Sequence, residues 1–163
     1  MTQKVVFLDR DGTINVDYGY VYKLSDLKLL PGAGEALKLF QENGFKLIIV
    51  TNQSGISRGF YTLTDAIKFN NALNTELGKY NVHIEEFFIC THAPEDKCIC
   101  RKPSPVMVLE AIRKYHIDVG ASYLFGDKLS DVECGENAGV ASFLVTKDNS
   151  LLYWANLLIK QFI

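Results

Sequence analysis

The 163-residue sequence lacks long apolar runs and clusters of basic residues. The apolar run that ends at Leu8 is too short for a signal-peptide core and far short of the roughly 20 residues of a membrane span. We therefore expect a cytoplasmic protein without a membrane partner. A formal charge of -2 and a pI near 5.9 leave no basic surface for nucleic acid, so no nucleic-acid partner is expected either.

Internal repeats, low-complexity segments and linkers are also missing. The chain is 48% apolar and 22% charged, a balance that is typical of globular proteins. A chain of this length can bury a core of its own, and it predicts a single domain over residues 1–163.

Cysteine is scarce, but three of the four cysteines lie close together with a histidine. The cluster consists of Cys90, His92, Cys98 and Cys100. In a cytosolic protein such a cluster indicates a metal site more than a disulfide, and three thiolates with one imidazole suit tetrahedral zinc. With no open ligand position, the zinc would be structural and would pin its loop. Buried cysteines in an ordinary loop are the alternative, and Cys134, which stands apart, is expected in the packed core.

Apolar runs alternate with helical patterns along the chain. The predicted strands are Val5–Leu8, Leu47–Val50, Phe87–Cys90, Tyr123–Phe125 and, as a fifth, Ser142–Val145. The predicted helices are Gly34–Asn43, Thr64–Tyr80 with Thr64 as cap, Pro105–Tyr115 with Val106, Leu109 and Ile112 inward, Asp131–Ala138 and Asn149–Ile163. This alternation predicts an α/β fold with a doubly wound parallel sheet, whose ligand lies at the carboxyl ends of the strands. The C-terminal helix could pack on this core or on a second subunit.

Polar residues directly follow the predicted strands. The sets are Asp9–Thr13, Thr51–Ser54, Cys90–His92 and Gly126–Lys128. Asp9 and Asp11 are two positions apart on extended backbone, so both side chains point the same way, and Gly12 permits a sharp turn. Because the carboxyl ends of parallel strands share one edge of a sheet, we expect the four sets to converge on one pocket.

Carboxylates at such close range repel each other, and a divalent cation would relieve that repulsion. Hard oxygen ligands favour magnesium, and the predicted ligands are Asp9, Asp11 and Asp127. Asp131 would add further negative charge to the same site.

The same residues suggest phosphoryl transfer. With the cation present, Asp9 could attack phosphorus and form an acyl phosphate. Asp11 is placed to protonate the leaving oxygen and then to deprotonate the hydrolytic water. Thr51 and Lys102 would hold the other phosphoryl oxygens.

Taken alone, Asp-x-Asp-Gly-Thr could equally be a metal-free turn, but four matching segments occur in order. They are Asp9-x-Asp11-Gly12-Thr13, Thr51-Asn52-Gln53, Arg101-Lys102-Pro103 and Gly126-Asp127 with Asp131. Together they resemble the haloacid dehalogenase (HAD) superfamily of phosphatases over nearly the whole chain, which implies a Rossmann-like HAD fold. The spacing between the segments leaves no room for an inserted cap domain, so a capless form is expected.

Longer segments are similar to the D,D-heptose 1,7-bisphosphate phosphatase family. These segments are Phe7–Tyr20, Val50–Gly59, Cys100–Pro103 and Ser122–Asp131. The related histidinol-phosphate phosphatases share the cysteine cluster, but would have different residues at Ser54, Ser57–Gly59 and Lys128. Thr91 and Val106 depart from the heptose family, which favours proline and glycine there.

The resemblance implies a set of substrate-binding residues. They are Asp17, Tyr18, Gly19, Tyr20, Thr51, Asn52, Gln53, Ser54, Arg101, Lys102 and Lys128. Arg101 would recognise the distal part of the substrate. A guanidinium fork beside the Lys102 ammonium is also a suitable pair for a substrate with two phosphates. The expected partner is a small phosphorylated sugar, and we expect a monomer rather than an oligomer.

Three other functions stay open at this point. The chain could dephosphorylate histidinol phosphate, or it could act on nucleic-acid ends, which the acidic pI disfavours. The third possibility is not an enzyme but a zinc-stabilised module that binds phosphosugars without turnover.

Overall fold

Five parallel strands form one sheet in the computed structural model, which describes residues 1–160. The strands are β1 (Lys4–Leu8), β2 (Phe45–Asn52), β3 (Glu86–Cys90), β4 (Tyr123–Gly126) and β5 (Ala141–Leu144). Their order across the sheet is β3-β2-β1-β4-β5, and every neighbouring pair is parallel. The predicted doubly wound α/β sheet is confirmed, with the switch point between β1 and β4.

Helices connect the strands. They are α1 (Ala33–Glu42), α2 (Ser54–Ser57), α3 (Leu63–Gly78), α4 (Val106–Tyr115), α5 (Leu129–Asn137) and α6 (Leu151–Ile159). Short 3-10 turns lie at Leu24–Asp26, Pro94–Asp96 and Val119–Ala121.

Both faces of the sheet are covered, as the near-continuous apolar strands predict. Along β1, Val6 and Leu8 face a core cluster that includes residues of α1, α3 and α6. Val5 and Phe7 face the opposite cluster, which includes residues of α4 and α5. All four side chains are fully buried. Apolar side chains therefore occupy both faces of β1, and the polar residues that follow the strand lie at the edge of the sheet.

Two details of the predicted helices are wrong. Helix α3 begins after Thr62, not Thr64, because Thr62 Oγ1 accepts a hydrogen bond from Asp65 N over 3.1 Å and Thr62 N donates one to Asp65 Oδ2 over 2.9 Å. This reciprocal pair is a capping box. In α4 the buried residues are Met107, Val108 and Ala111, whereas Leu109 is 45% exposed. The buried face of α4 is therefore turned by about one residue from the predicted one, although Ile112 packs against the core as predicted.

The boundaries of β5 and α6 differ from those predicted. Strand β5 lies one residue earlier than expected, and α6 begins at Leu151 with Ser150 as its cap. Residues 161–163 of the predicted C-terminal helix lie outside the described residues. Helix α6 packs on the core with Ala155 buried, and Trp154 donates from Nε1 to Leu144 O over 3.0 Å.

No inserted domain interrupts the part of the chain that the structure describes, so the capless form is confirmed for residues 1–160. Within that range, none of the helices combines the length and the apolar character that crossing a membrane would need.

Candidate active site

A cleft of about 250 Å³ opens at the carboxyl edge of the sheet, at the switch point of the strand order. The lining residues are Asp9, Asp11, Asp17, Gly19, Tyr20, Asn52, Gln53, Ser54, Tyr61, Arg101, Lys102, Lys128, Ser130 and Asp131. Residues from the loops after β1, β2 and β4 therefore converge on the cleft as expected, whereas none of the Cys90–His92 set lines it.

Lys102 joins two buried carboxylates at the base of this cleft. Its Nζ lies 2.9 Å from Asp9 Oδ1 and 2.7 Å from Asp131 Oδ1, and it also donates to Val50 O. Burial by itself would lower the pKa of Lys102, but the charges of Asp9 and Asp131 outweigh burial and raise that pKa. Lys102 is therefore a fixed positive charge beside Asp9.

Asp9, Asp127 and Asp131 form an acidic group whose carboxylate oxygens lie within 4.8 Å of one another. Oδ1 of Asp127 is buried and has no hydrogen-bond partner among the described residues. Burial, and after it the charge of Asp9, raises the pKa of Asp127 to about 7. A buried carboxylate oxygen without a donor, in a group of this charge, fits an oxygen-binding divalent cation.

Gly12 makes the close approach of this group possible. It has φ +82°, and a Cβ at this position would lie 2.2 Å from Asp127 Oδ2. Any larger residue would clash with Asp127 and would also be strained at this φ.

The carboxylate of Asp11 lies apart from the acidic group and is held by other side chains. Arg10 donates to it twice, from Nε to Oδ1 over 2.8 Å and from Nη2 to Oδ2 over 3.0 Å. Asn15 donates to Oδ1 over 2.9 Å and Gln53 to Oδ2 over 3.2 Å. Arg10, Asn15 and Gln53 therefore engage the Asp11 carboxylate, which is not part of the group formed by Asp9, Asp127 and Asp131.

Arg10 was missed by the sequence analysis, and no local signal could have found it. It is fully buried, and its guanidinium lies 4.4 Å from the Phe69 ring centroid. Its remaining donors reach Asn70 Oδ1 over 3.0 Å and Val21 O over 2.7 Å.

Gln53 is fixed from its other end by Tyr61, which donates its hydroxyl to Gln53 Oε1. Burial raises the pKa of Tyr61 to about 12, so the hydroxyl keeps its proton. The Gln53 amide can then donate both to Asp11 and to Thr51 Oγ1, the latter over 2.8 Å. Tyr61 lines the cleft and was not predicted.

The cysteine cluster has its four ligand atoms within 4.8 Å of one another. Cys90 Sγ lies 3.7 Å from Cys98 Sγ and 3.1 Å from Cys100 Sγ, and His92 Nδ1 lies 3.4 Å from Cys100 Sγ. Sulfurs at about 2.3 Å from a tetrahedral zinc would be about 3.8 Å apart. The donor set and the 3.7 Å between the Cys90 and Cys98 sulfurs fit that ion, whereas the 3.1 Å between the Cys90 and Cys100 sulfurs is shorter. Burial raises the pKa of Cys90 to about 12, so a bound cation would be needed to stabilise its thiolate.

The cluster leads directly into the cationic side of the cleft. Arg101 Nη1 donates to His92 O over 3.3 Å. Lys102 exchanges hydrogen bonds with the side chain of Asn52, N to Oδ1 over 3.1 Å and Nδ2 to O over 3.3 Å. The cysteine loop therefore positions both cations and the chain after β2.

Most predicted substrate-binding residues lie on the cleft, with two exceptions. Tyr18 is 59% exposed and does not line it, and Thr51 is buried behind Gln53. Ser130 and Asp131 line the cleft without having been predicted to bind substrate. They follow β4 at the start of α5, where only Lys128 was predicted to bind substrate, whereas Asp131 was expected to add charge to the metal site.

The comparisons with known sequences and with solved structures agree with one another. The sequence profile of a family described as HAD-hydrolase-like matches residues 99–154. The D-glycero-beta-D-manno-heptose-1,7-bisphosphate 7-phosphatase of Helicobacter pylori (strain ATCC 700392 / 26695) is 42% identical over 151 residues, 92% of this chain and 87% of that protein. The enzyme of the same name from Haemophilus ducreyi is 40% identical over 154 residues, 90% of this chain and 85% of that protein.

Among solved structures, the D,D-heptose 1,7-bisphosphate phosphatase of B. bronchiseptica, complexed with magnesium and phosphate, superimposes with a TM-score of 0.90. It is 27% identical and the match covers 98% of this chain and 99% of that one.

Proposed function

We propose that this chain, which belongs to the HAD-like family of D-glycero-beta-D-manno-heptose-1,7-bisphosphate 7-phosphatases, removes the 7-phosphate of such a bisphosphate and releases heptose 1-phosphate. Membership of that family makes the chain a phosphoric monoester hydrolase. The observation that supports the substrate most directly is the pairing of Lys102, beside Asp9, with Arg101 on the same cleft.

Magnesium is the catalytic cofactor in this proposal. Asp9, Asp11 and Asp127 would hold it, with Asp131 contributing charge. When bound, the ion supplies positive charge that reduces the repulsion between Asp9 and a phosphate dianion. The unpartnered Oδ1 of Asp127 supports this assignment.

Catalysis then proceeds in two displacements. An oxygen of the Asp9 carboxylate bonds to phosphorus while the bond from phosphorus to the sugar oxygen breaks, and Asp11 gives that oxygen its proton. In the second step Asp11 takes a proton from water as the water oxygen attacks phosphorus, and Asp9 is released. Lys102 lines the cleft and would hold a phosphoryl oxygen, and charge placed there gives transfer of this kind most of its stabilisation. Thr51, which was predicted to hold another phosphoryl oxygen, is buried and would act through its contact with Gln53.

The second phosphate would be bound but not cleaved. Arg101 and Lys128 both line the cleft, and a guanidinium fork suits a phosphate. Asp17, Gly19, Tyr20 and Ser54 would contact the sugar between the two phosphates.

A structural zinc ion at the cysteine cluster completes the proposal. It would fix the loop that supplies Arg101 and Lys102, and it would take no part in the reaction. The spacing of the four donor atoms supports this role.

A phosphate-release screen with Mg²⁺ tests the function. We expect turnover of D-glycero-beta-D-manno-heptose 1,7-bisphosphate to exceed that of histidinol phosphate, fructose 1,6-bisphosphate and a 5′-phosphorylated oligonucleotide. Preference for one of the other esters would overturn the substrate assignment. Tight binding of the heptose bisphosphate without phosphate release would instead identify a binding module.

A further inference from the structure

We propose that Asn70 and Arg10 are positioning residues, which hold the Asp11 carboxylate where it can reach the substrate. We also propose that Asp11 exchanges its proton through Oδ2. The inference rests on the proposed function, in which Asp11 is the general acid and base. Its starting observation is the fork that Arg10 places on both carboxylate oxygens of Asp11.

The environment of Arg10 is that of a rigid support. Its side chain is fully buried, and each of its three guanidinium nitrogens donates a hydrogen bond within the protein. Burying a charge in this way is unfavourable unless the charge is paired and its donors are satisfied. Asp11 supplies the paired charge, while Val21 O and Asn70 Oδ1 accept from the outer nitrogens.

The two oxygens of Asp11 are not equivalent. Oδ1 accepts from Arg10 and Asn15, which are both fully buried and lie behind the cleft. Oδ2 accepts from Arg10 and also from Gln53, which lines the cleft itself. A substrate oxygen can therefore approach Oδ2 by displacing the 3.2 Å Gln53 contact, while the Arg10 fork stays in place.

Asn70 fixes Arg10 from the far side. It lies on α3, is 3% exposed, and its Oδ1 accepts from Arg10 Nη1 over 3.0 Å. If the Asn70 side chain were removed, the buried Nη1 of Arg10 would lack a hydrogen-bond partner, and the guanidinium would be free to turn away from Asp11. A shift of about 1 Å in a reacting group can lower a rate by roughly 10²-fold.

Asn74 offers a matched control on the same helix, one turn later. Its side chain exchanges hydrogen bonds with the main chain of Ile84, N to Oδ1 over 3.0 Å and Nδ2 to O over 3.3 Å. Asn70→Ala and Asn74→Ala therefore each remove an asparagine contact from α3, but only the first removes one that leads to Asp11.

The test compares kcat/KM for the heptose bisphosphate and for p-nitrophenyl phosphate. The sugar oxygen needs a proton to leave, whereas p-nitrophenolate does not, so misplacing the acid should lower only the first value strongly. The measured quantity is kcat/KM for the heptose bisphosphate divided by kcat/KM for p-nitrophenyl phosphate. We expect Asn70→Ala to reduce this ratio by about 10- to 100-fold, and Asn74→Ala to leave it at the value of the unmodified chain. Asn70→Asp, which keeps an acceptor for Nη1, should restore the ratio. Asn70→Leu replaces Asn70→Ala if circular dichroism shows that the alanine variant is unfolded.

A double-mutant cycle separates positioning from a general structural effect. With p-nitrophenyl phosphate in rapid-quench assays, a role through Asp11 predicts that Asn70→Ala has no further effect on phosphate release in an Asp11→Asn background. An unchanged substrate ratio in Asn70→Ala, or a loss that persists without Asp11, would overturn the inference. If the unmodified chain hydrolyses neither ester, it is the proposed function that fails.

Discussion

Lys102 Nζ lies 2.9 Å from Asp9 Oδ1, and 93 positions of sequence separate the two residues. The contact joins the end of β1 to the loop that follows the cysteine cluster, so nucleophile and phosphate-binding cation are positioned by different parts of the chain. Both side chains are buried, and Asp131 neutralises the same ammonium from the other side.

Replacing Lys102 tests this relationship. Lys102→Met keeps most of the side-chain volume but leaves Asp9 and Asp131 without their cation. Breaking a buried ion pair costs about 3–5 kcal/mol, so the melting temperature should fall. Loss of a charge that stabilises the transition state should also lower kcat by about 10²–10³-fold for every ester. A variant with normal kcat by phosphate release would show that Lys102 has only a structural role.

Arg101→Ala should affect only some substrates, unlike Lys102→Met, because Arg101 is assigned to the distal phosphate. The heptose bisphosphate should lose about 2 kcal/mol of binding or more, roughly 30-fold in kcat/KM, while a simple sugar monophosphate should change little. Steady-state kinetics on the two substrates measure the difference. Equal losses would mean that Arg101 supports the chemistry itself.

The cysteine cluster can be tested against an internal control. Cys98→Ser should reduce zinc content from about one ion per chain and lower the melting temperature, because a structural site contributes folding free energy. Cys134→Ser should leave the zinc content unchanged, since Cys134 contacts Ser104 O and lies outside the cluster. Elemental analysis under reducing, chelator-free conditions measures the zinc content. If the purified unmodified chain contains no zinc, the assignment is wrong.

Magnesium binding should depend on pH through Asp127. Its pKa is raised to about 7, mainly by burial, so in the metal-free protein it is largely protonated below that pH. The ion needs the carboxylate form, so affinity should rise with pH and level off above about pH 7, changing by up to about tenfold per pH unit below it. Calorimetry at about pH 6 and pH 8 measures this. Equal affinities would contradict the prediction, and Asp127→Asn should flatten whatever dependence is found.

Much of the fold could be predicted because its strands are buried on both faces and read as apolar runs. The predicted strand near Leu47 was too short, since Phe45 and the polar Lys46 also pair with β1, and the polar Thr51 and Asn52 extend β2 by pairing with β3. Helix α2 was not predicted because its four residues have no apolar period. The α4 face was wrong because several apolar residues offer two overlapping stripes, and only the sheet decides between them.

The candidate site was predictable where residues directly follow strands. Asp9 directly follows β1 and Asp127 directly follows β4, and both join the acidic group. Lys102 lies well beyond the end of β3 and was found only through its motif. Arg10 was not predictable, because an arginine between two aspartates has the pattern of a solvated residue. Its burial depends on Asn70, 60 positions away, which no local pattern shows. The predicted ligand role of Asp11 and the contacts of Tyr18 stay predictions.

Trapping the covalent intermediate is the most direct test of the account. The chain would be mixed with Mg²⁺ and the heptose bisphosphate, quenched in acid within milliseconds and reduced with borohydride, which converts a phosphorylated aspartate to homoserine. Mass spectrometry of the digested protein should then find homoserine at position 9, and Asp9→Asn should yield none while losing turnover by orders of magnitude. Full phosphate release by Asp9→Asn, or homoserine at another aspartate, would contradict the assignment of Asp9 as the nucleophile.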